Sequence, residues 1–170
     1  MIILSLGSNL SSKFGDRIEN LKVALSMIEE NEIIIKSKSS YYESPSFPDT
    51  TKPKFINIII LVESKLEPEI LMSKLIYIEE KMGRKRDKKN DPRICDIDII
   101  DYKNKVIHAN LPYFDLTIPH KELIFRNFVL IPLKEIVPDW IHPKTKETID
   151  ALIQKLSNDD RNSILKISEN

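Results

Sequence analysis

Gly83-Arg84-Lys85-Arg86-Asp87-Lys88-Lys89-Asn90-Asp91-Pro92-Arg93-Ile94-Cys95-Asp96-Ile97-Asp98-Ile99-Ile100 leaves a helix, crosses a basic loop and enters an apolar strand. Side chains alternate faces along a strand, so Asp96 and Asp98 stand side by side on one face. Two adjacent carboxylates repel, and burying them unpaired is costly. A divalent cation relieves that repulsion, and Mg²⁺ takes oxygen ligands from one or two carboxylates plus substrate phosphates. From Lys81 to Arg93 there are seven basic residues (Lys81, Arg84, Lys85, Arg86, Lys88, Lys89, Arg93) against two acidic ones (Asp87, Asp91). A charge run alone is usually a solvated loop, and Asp-x-Asp alone is a common pair. Together, with Arg93 just ahead of the acids, they point to a metal–nucleotide site.

Working backwards, the helix that Gly83 ends begins at Glu67-Pro68, with proline at its first position. Leu71, Leu75, Ile78 and Met82 form its apolar stripe, and Gly83 stands where a left-handed cap belongs. Glu79 and Glu80 lie in its last turns, against the helix dipole, so binding is one reason for an acid there. Before it, Phe55 to Glu63 reads as a buried strand interrupted by Asn57, whose side chain must meet either backbone or a ligand. The segment from Glu43 to Lys54 holds Pro45, Pro48 and Pro53 and reads as a long loop. Ile33 to Tyr42 reads as one strand. A helix over Asp16 to Glu30, capped by Asp16, carries the stripe Ile18, Leu21, Leu25 and Ile28. The chain starts with a short strand, Ile2 to Leu6, ended by Gly7-Ser8-Asn9, which reads as a plain turn.

Working forwards, the strand over Ile94 to Asp101 is followed by a short edge strand at Val106-Ile107. A helix from about Glu122 is kinked or ended by Pro132, and a last helix runs from Thr148 to Leu156. The tail over residues 157–170 reads as loosely ordered. The core order is β-α-β-β-α-β, an α+β, ferredoxin-like arrangement with two helices on one face of an antiparallel sheet. Its other face reads as open, and that face with its bordering loops is the place expected for a site.

The 170 residues suggest one domain, and 41% hydrophobic composition is enough for one core. With 26 basic and 26 acidic residues the formal charge is zero, so nothing global points to nucleic acid or membrane. A single cysteine, Cys95, excludes an internal disulfide framework and reads as a small buried hydrophobe. No apolar run is long enough to span a bilayer, and the cytoplasm is the expected compartment. There is no Walker A pattern, kinase glycine loop or dinucleotide fingerprint. His108 and His142 read as surface or capping residues. His120, after Pro119 and downstream of Thr117, stays a candidate.

The motifs Leu6-Gly7-Ser8-Asn9-Leu10, Tyr42-Glu43-Ser44-Pro45, Phe55-Ile56-Asn57, Pro92-Arg93-Ile94-Cys95-Asp96-Ile97-Asp98-Ile99, Leu116-Thr117-Ile118-Pro119-His120 and Arg126-Asn127-Phe128-Val129-Leu130 occur in that order. In this the chain resembles the 6-hydroxymethyl-7,8-dihydropterin pyrophosphokinases of folate biosynthesis, over roughly residues 2 to 140. The resemblance implies transfer of pyrophosphate from ATP to the pterin hydroxymethyl group, with release of AMP. It implies two Mg²⁺ ions on Asp96 and Asp98, and catalytic roles for those two with Arg84 and Arg93. It places ATP against Glu79, Arg86, Lys89, Ile99, Thr117, His120 and Arg126. It places the pterin between Phe55 and Phe128, with Asn57, Ser44, Pro45 and Phe47 around its edge. The partners it implies are ATP and the pterin, without nucleic acid or membrane, and the chain is expected to be a monomer.

Two positions depart from the family pattern. Lys89-Asn90 stands where an Arg-Trp pair is common, in a loop one residue shorter, and Asp115 replaces a basic residue. Two other readings of the bare residues are a metal-dependent phosphodiesterase or nucleotidyltransferase and a non-catalytic ferredoxin-like binding module. The first explains the acids and bases but not Asn57 with its flanking aromatics. The second lacks the aromatics interleaved with basic residues that RNA binding uses.

Overall fold

A computed structural model of the chain describes residues 1–84 and 91–168. Strand β1 (Ile2–Ser8) is buried along its whole length and lies second in a six-stranded antiparallel sheet. It pairs on one side with β4 (Phe55–Glu63) and on the other with β5 (Asp96–Tyr102). Beyond β4, two short strands share one edge: β2 (Ile34–Lys38) and β3 (Tyr41–Ser44). Taking these two as halves of one strand, the core order is fourth–first–third–second, the expected split β-α-β arrangement.

The single strand expected over Ile33 to Tyr42 is broken at Ser39-Ser40, and side chains hold the break. Ser39 N donates to Ile59 O at 2.9 Å, while Ser39 Oγ accepts from Ile59 N at 3.0 Å, so a hydroxyl completes the ladder. Glu135 closes the same break from outside. It accepts from Ser40 N and Oγ, Tyr42 Oη at 2.9 Å and Lys166 Nζ at 3.0 Å.

Helices α1 (Arg17–Glu30) and α2 (Pro68–Lys81) cover one face of the sheet. Asp16 caps α1, accepting from Ile18 N at 2.8 Å and Glu19 N at 3.0 Å. Leu21, Ala24, Ile28, Leu71, Leu75 and Ile78 pack on Leu4, Leu6, Ile58, Ile60, Ile97 and Ile99. The alternation of β1, β4 and β5 therefore sends every second residue to the other face.

That other face is not open along its length. Helix α3 (Asn127–Ile136), α4 (Ile149–Lys155) and Trp140 cover one end of it through Ile3, Ile59 and Ile100. A bulge opposite Ile3 and Leu4 leaves Ile100 extra, so the strand reaches the buried Asp101 with its carboxylate turned to Trp140 Nε1 at 2.8 Å. Only the end bearing Gly7, Phe55, Asn57, Asp96 and Asp98 is left uncovered by these helices.

Other expectations shift in detail. Helix α3 starts at Asn127, after a 3-10 turn at Leu123–Phe125, and runs on through Pro132 to Ile136. The edge strand becomes a hairpin of β6 (Ile107–Asn110) and β7 (Asp115–Ile118). The tail from Ser157 forms α5 (Asn158–Asn162) and β8 (Leu165–Ile167), which pairs with β3. Among the described residues no helix is long and apolar enough to cross a membrane.

Candidate active site

The site starts from the register of the sheet. Gly7 of β1 pairs with Asp96 on one side and Asn57 on the other, and Asn57 pairs with Tyr42. One row across four strands thus reads Asp96, Gly7, Asn57, Tyr42. In the next row Ser5 lies opposite Asp98. Both carboxylates stand on the uncovered end, as the period of the strand requires.

Each aspartate is already held by cations. Asp96 pairs with the Arg84 guanidinium, and Arg93 Nε lies 3.0 Å from its other oxygen, though off the line of a hydrogen bond. Asp98 Oδ2 lies 3.1 Å from Arg126 Nη1 and 3.9 Å from His120 Nε2. Burial works to raise the Asp96 carboxyl, but Arg93 and Arg84 outweigh it and hold the group below its ordinary value. Burial likewise lowers His120, against the opposing pull of Asp98, so the ring favours its neutral form. Its Nδ1 accepts from Glu122 N at 3.2 Å, which leaves Nε2 as the protonated nitrogen facing Asp98.

Two of these arginines also touch the aromatic rings. The Arg93 guanidinium is 5.4 Å from the centre of the Phe55 ring, and that of Arg126 is 5.6 Å from the Phe128 ring. The site is therefore built from two parallel chains, Phe55–Arg93–Asp96 and Phe128–Arg126–Asp98. Cation–π contacts of this kind contribute about 0.5–1 kcal/mol where water reaches them, so the carboxylates dominate the placement of both arginines.

The end of α2 explains how Arg84 reaches Asp96. Gly83 has φ +96°, and Gly83 N donates to Glu80 O while Arg84 N donates to Glu79 O, the paired bonds of a Schellman turn. The turn doubles the chain back so that Arg84 Nη1 lies 2.5 Å from Glu79 Oε1. The same oxygen accepts from Ile97 N at 2.7 Å. Glu79 is only 1% exposed. Its carboxylate is thus turned inward to Arg84 and β5.

Ile99 can be near a nucleotide through its backbone, because its side chain faces α1 and α2 in the core. Thr117 lies half-buried on β7, and Asp115 is exposed at the start of that strand. Arg86 and Lys89, expected against ATP, and the Lys89-Asn90 departure lie outside the described residues.

Around the pterin positions, Asn57 is 3% exposed, and its Nδ2 donates to Ser44 Oγ at 2.9 Å and to Tyr42 O at 3.4 Å. Pro45 is half-buried and Phe47 is 84% exposed. Cys95 is fully buried, and burial first of all pushes its thiol well up, so it packs as a hydrophobe.

Asn9 is a site residue that the plain-turn reading missed. It is buried, and its Nδ2 donates to Pro53 O at 3.1 Å and Ser46 Oγ at 3.4 Å. Its Oδ1 accepts from Arg93 N at 2.7 Å, and its own N donates to Arg93 O at 3.1 Å. It ties the proline-rich loop to the arginine segment. The available signal was a polar residue directly after a fully buried strand. Gly7 and Ser8 likewise belong to β1 rather than to a turn.

The donor set fits Mg²⁺ shared with phosphate. Two carboxylates share one uncovered face, and among the described residues no group of three or more His, Cys, Asp or Glu is arranged to hold a metal by itself. A cation with so few protein ligands takes its remaining oxygens from substrate and water.

Residues 3–138 match the family model of 7,8-dihydro-6-hydroxymethylpterin-pyrophosphokinase. The chain is 36% identical over 155 residues to the 2-amino-4-hydroxy-6-hydroxymethyldihydropteridine pyrophosphokinase of Synechocystis sp., covering 91% of this chain and 75% of that one. It is 37% identical over 142 residues to the enzyme of the same name from Aquifex aeolicus, covering 84% and 83%. A crystal structure of a Plasmodium falciparum HPPK-DHPS variant with pterin and p-hydroxybenzoate superposes with a TM-score of 0.78 at 16% identity, over 99% of this chain and 47% of that one. That likeness confirms the α+β fold; the chain spans less than half of that longer protein. The matched motifs, the level of identity and the shared fold agree: the chain belongs to the 7,8-dihydro-6-hydroxymethylpterin-pyrophosphokinase family of folate-synthesis enzymes.

Proposed function

We propose that this chain transfers pyrophosphate from ATP to the hydroxymethyl group of 6-hydroxymethyl-7,8-dihydropterin. The hydroxymethyl oxygen attacks the β-phosphorus, the bond from that phosphorus to the oxygen of the α-phosphate breaks, and AMP leaves. The hydroxyl proton is lost as the new P–O bond forms. The observation that carries this reading is the pair of Phe–Arg–Asp chains: one face of β5 joins phosphate chemistry to ring recognition.

Held by Asp96 and Asp98, Mg²⁺ would offset charge on the reacting phosphoryl group and acidify the attacking hydroxyl. Arg84, Arg93 and Arg126 neutralise the two carboxylates; with Mg²⁺ held by those acids, the guanidinium groups would turn to phosphate oxygens, which they can grip bidentately. Glu79 keeps Arg84 at the site during that change of partner. His120 Nε2, protonated because Nδ1 accepts from Glu122 N, donates to a phosphate oxygen. Phe55 and Phe128 take the two faces of the pterin, and Asn57, oriented by Ser44, reads its polar edge.

The test is to incubate the protein with Mg²⁺, ATP and 6-hydroxymethyl-7,8-dihydropterin and identify the adenine product. AMP formed only when pterin is present supports the reading. Release of ADP, or AMP without pterin, refutes it.

A further inference from the structure

We propose that Gly7 is a specificity-determining position: with no Cβ, it lets Asn57 and Phe55 close over its backbone into the positions from which they meet the flat ring of the substrate. The inference rests on the pyrophosphokinase reading and adds a residue to it. Gly7 lies between Asp96 and Asn57 in the same row of the sheet. Neighbouring strands are about 4.8 Å apart, so these two outer residues are separated by roughly 10 Å across the face. A bicyclic ring carrying a one-carbon arm matches a span of that length. It can lie along it only if Asn57 and Phe55 sit close down on the strand between.

A Cβ at Gly7 would stand 3.2 Å from Asn57 Oδ1 and 3.4 Å from Phe55 Cδ1. Those atoms belong to the residue that reads the ring edge and to one of the rings that stack on it. The backbone itself does not demand glycine here. Gly15 and Gly83 have φ of +129° and +96°, whereas Gly7 is ordinary strand within β1. Glycine inside a strand weakens it and marks close approach of a ligand or another backbone. Here the approaching groups are the Asn57 and Phe55 side chains, the two that the pterin reading assigns to the ring.

The experiment is Gly7→Ala, with three readouts on the full chain: melting temperature, affinity for a non-hydrolysable ATP analogue with Mg²⁺, and affinity for the pterin on protein saturated with that nucleotide. The strand preference of alanine offsets the tight 3.2 Å contact with Asn57 Oδ1, so the melting temperature should change little and nucleotide should bind equally well. Pterin affinity should fall by about tenfold or more, the scale on which one methyl group is discriminated in a packed pocket. KM for pterin should rise with a smaller change in kcat. Combined with Asn57→Ala, the loss should be less than the product of the two single losses, because the added methyl acts in part through Asn57.

Unchanged pterin affinity in Gly7→Ala, or equal weakening of both ligands, overturns the inference. Wild-type protein that binds the nucleotide but never the pterin refutes the pyrophosphokinase reading itself, before any variant is compared.

Discussion

Asp98 on β5 and Arg126 at the start of α3 meet at 3.1 Å although 28 residues separate them in the chain. The contact brings the covering helix of one end of the sheet onto the edge of the uncovered end. It also sets Phe128, two residues further on, beside the same guanidinium.

Asp98→Ala is expected to lower turnover by at least about a thousandfold, roughly 4 kcal/mol of barrier. The fold should survive. Both partners of the Asp98–Arg126 pair are about a quarter exposed, and pairs open to water contribute only about 0–1 kcal/mol. Circular dichroism and the melting temperature, measured beside the kinetics, separate the two effects. Near-normal turnover would remove Asp98 from the chemistry.

Glu79→Gln tests the buried anchor of Arg84. Glutamine can still accept from Ile97 N but offers no charge to the guanidinium. A loss of about 1–3 kcal/mol in urea unfolding is expected, with a raised KM for ATP as Arg84 loses its tether. If Glu79 instead touched only the nucleotide, stability would stay at the wild-type value.

Asn9→Ala removes the tie among Ser46, Pro53 and Arg93. Three polar groups lose a partner, and stability should fall by about 1–3 kcal/mol. Amide exchange over residues 46–53 should quicken, and the affinities for both ATP and pterin should drop. Unaltered exchange in that loop would show that its own Ser46–Pro53 bond, 2.6 Å long, suffices to hold it.

Tyr42 supplies the pH test. Burial first, then its hydrogen bond to Glu135 and the charge of that carboxylate, raises the phenol to about 12. An unfolded tyrosine ionises near 10. Between those values the native state keeps a proton that the unfolded state has lost, so this contribution is whole below pH ~10 and is lost as pH rises towards ~12. In Glu135→Gln the Tyr42 midpoint, followed by ring resonances, should move down but stop short of 10, because burial remains. A midpoint unmoved by the substitution would assign the whole shift to burial.

Much of the fold is readable in the chain because it rests on local periodicities. The 3.6-residue stripes of α1 and α2, the apolar run of β4 and the Gly83 cap are properties of neighbouring residues. The break between β2 and β3 is different. Nothing near Ser39 announces that its hydroxyl will complete a ladder with Ile59, or that Glu135, nearly a hundred residues later, will cover it. Helix α3 running past Pro132 and β8 pairing with β3 are likewise outcomes of packing, which overrides local preference.

The site divides along the same line. Alternation along β5 is enough to place Asp96 and Asp98 on one face, and the basic residues before them announce phosphate. Arg93, three residues ahead of Asp96, is a local partner of those acids; the other partners were beyond local reading. Arg84 arrives by a helix cap, and Arg126 on a helix from the far end of the sheet. Glu79, exposed to judgement only as an acid at the wrong end of a dipole, is a buried anchor. Sequence alone determined which residues carry charge and which face of a strand they take, because both depend on neighbours a few positions away. Which cation neutralises Asp98, and that Gly7 lies between Asp96 and Asn57 with Phe55 over it, was decided by strand register and helix docking, where the contacts join residues remote in the chain.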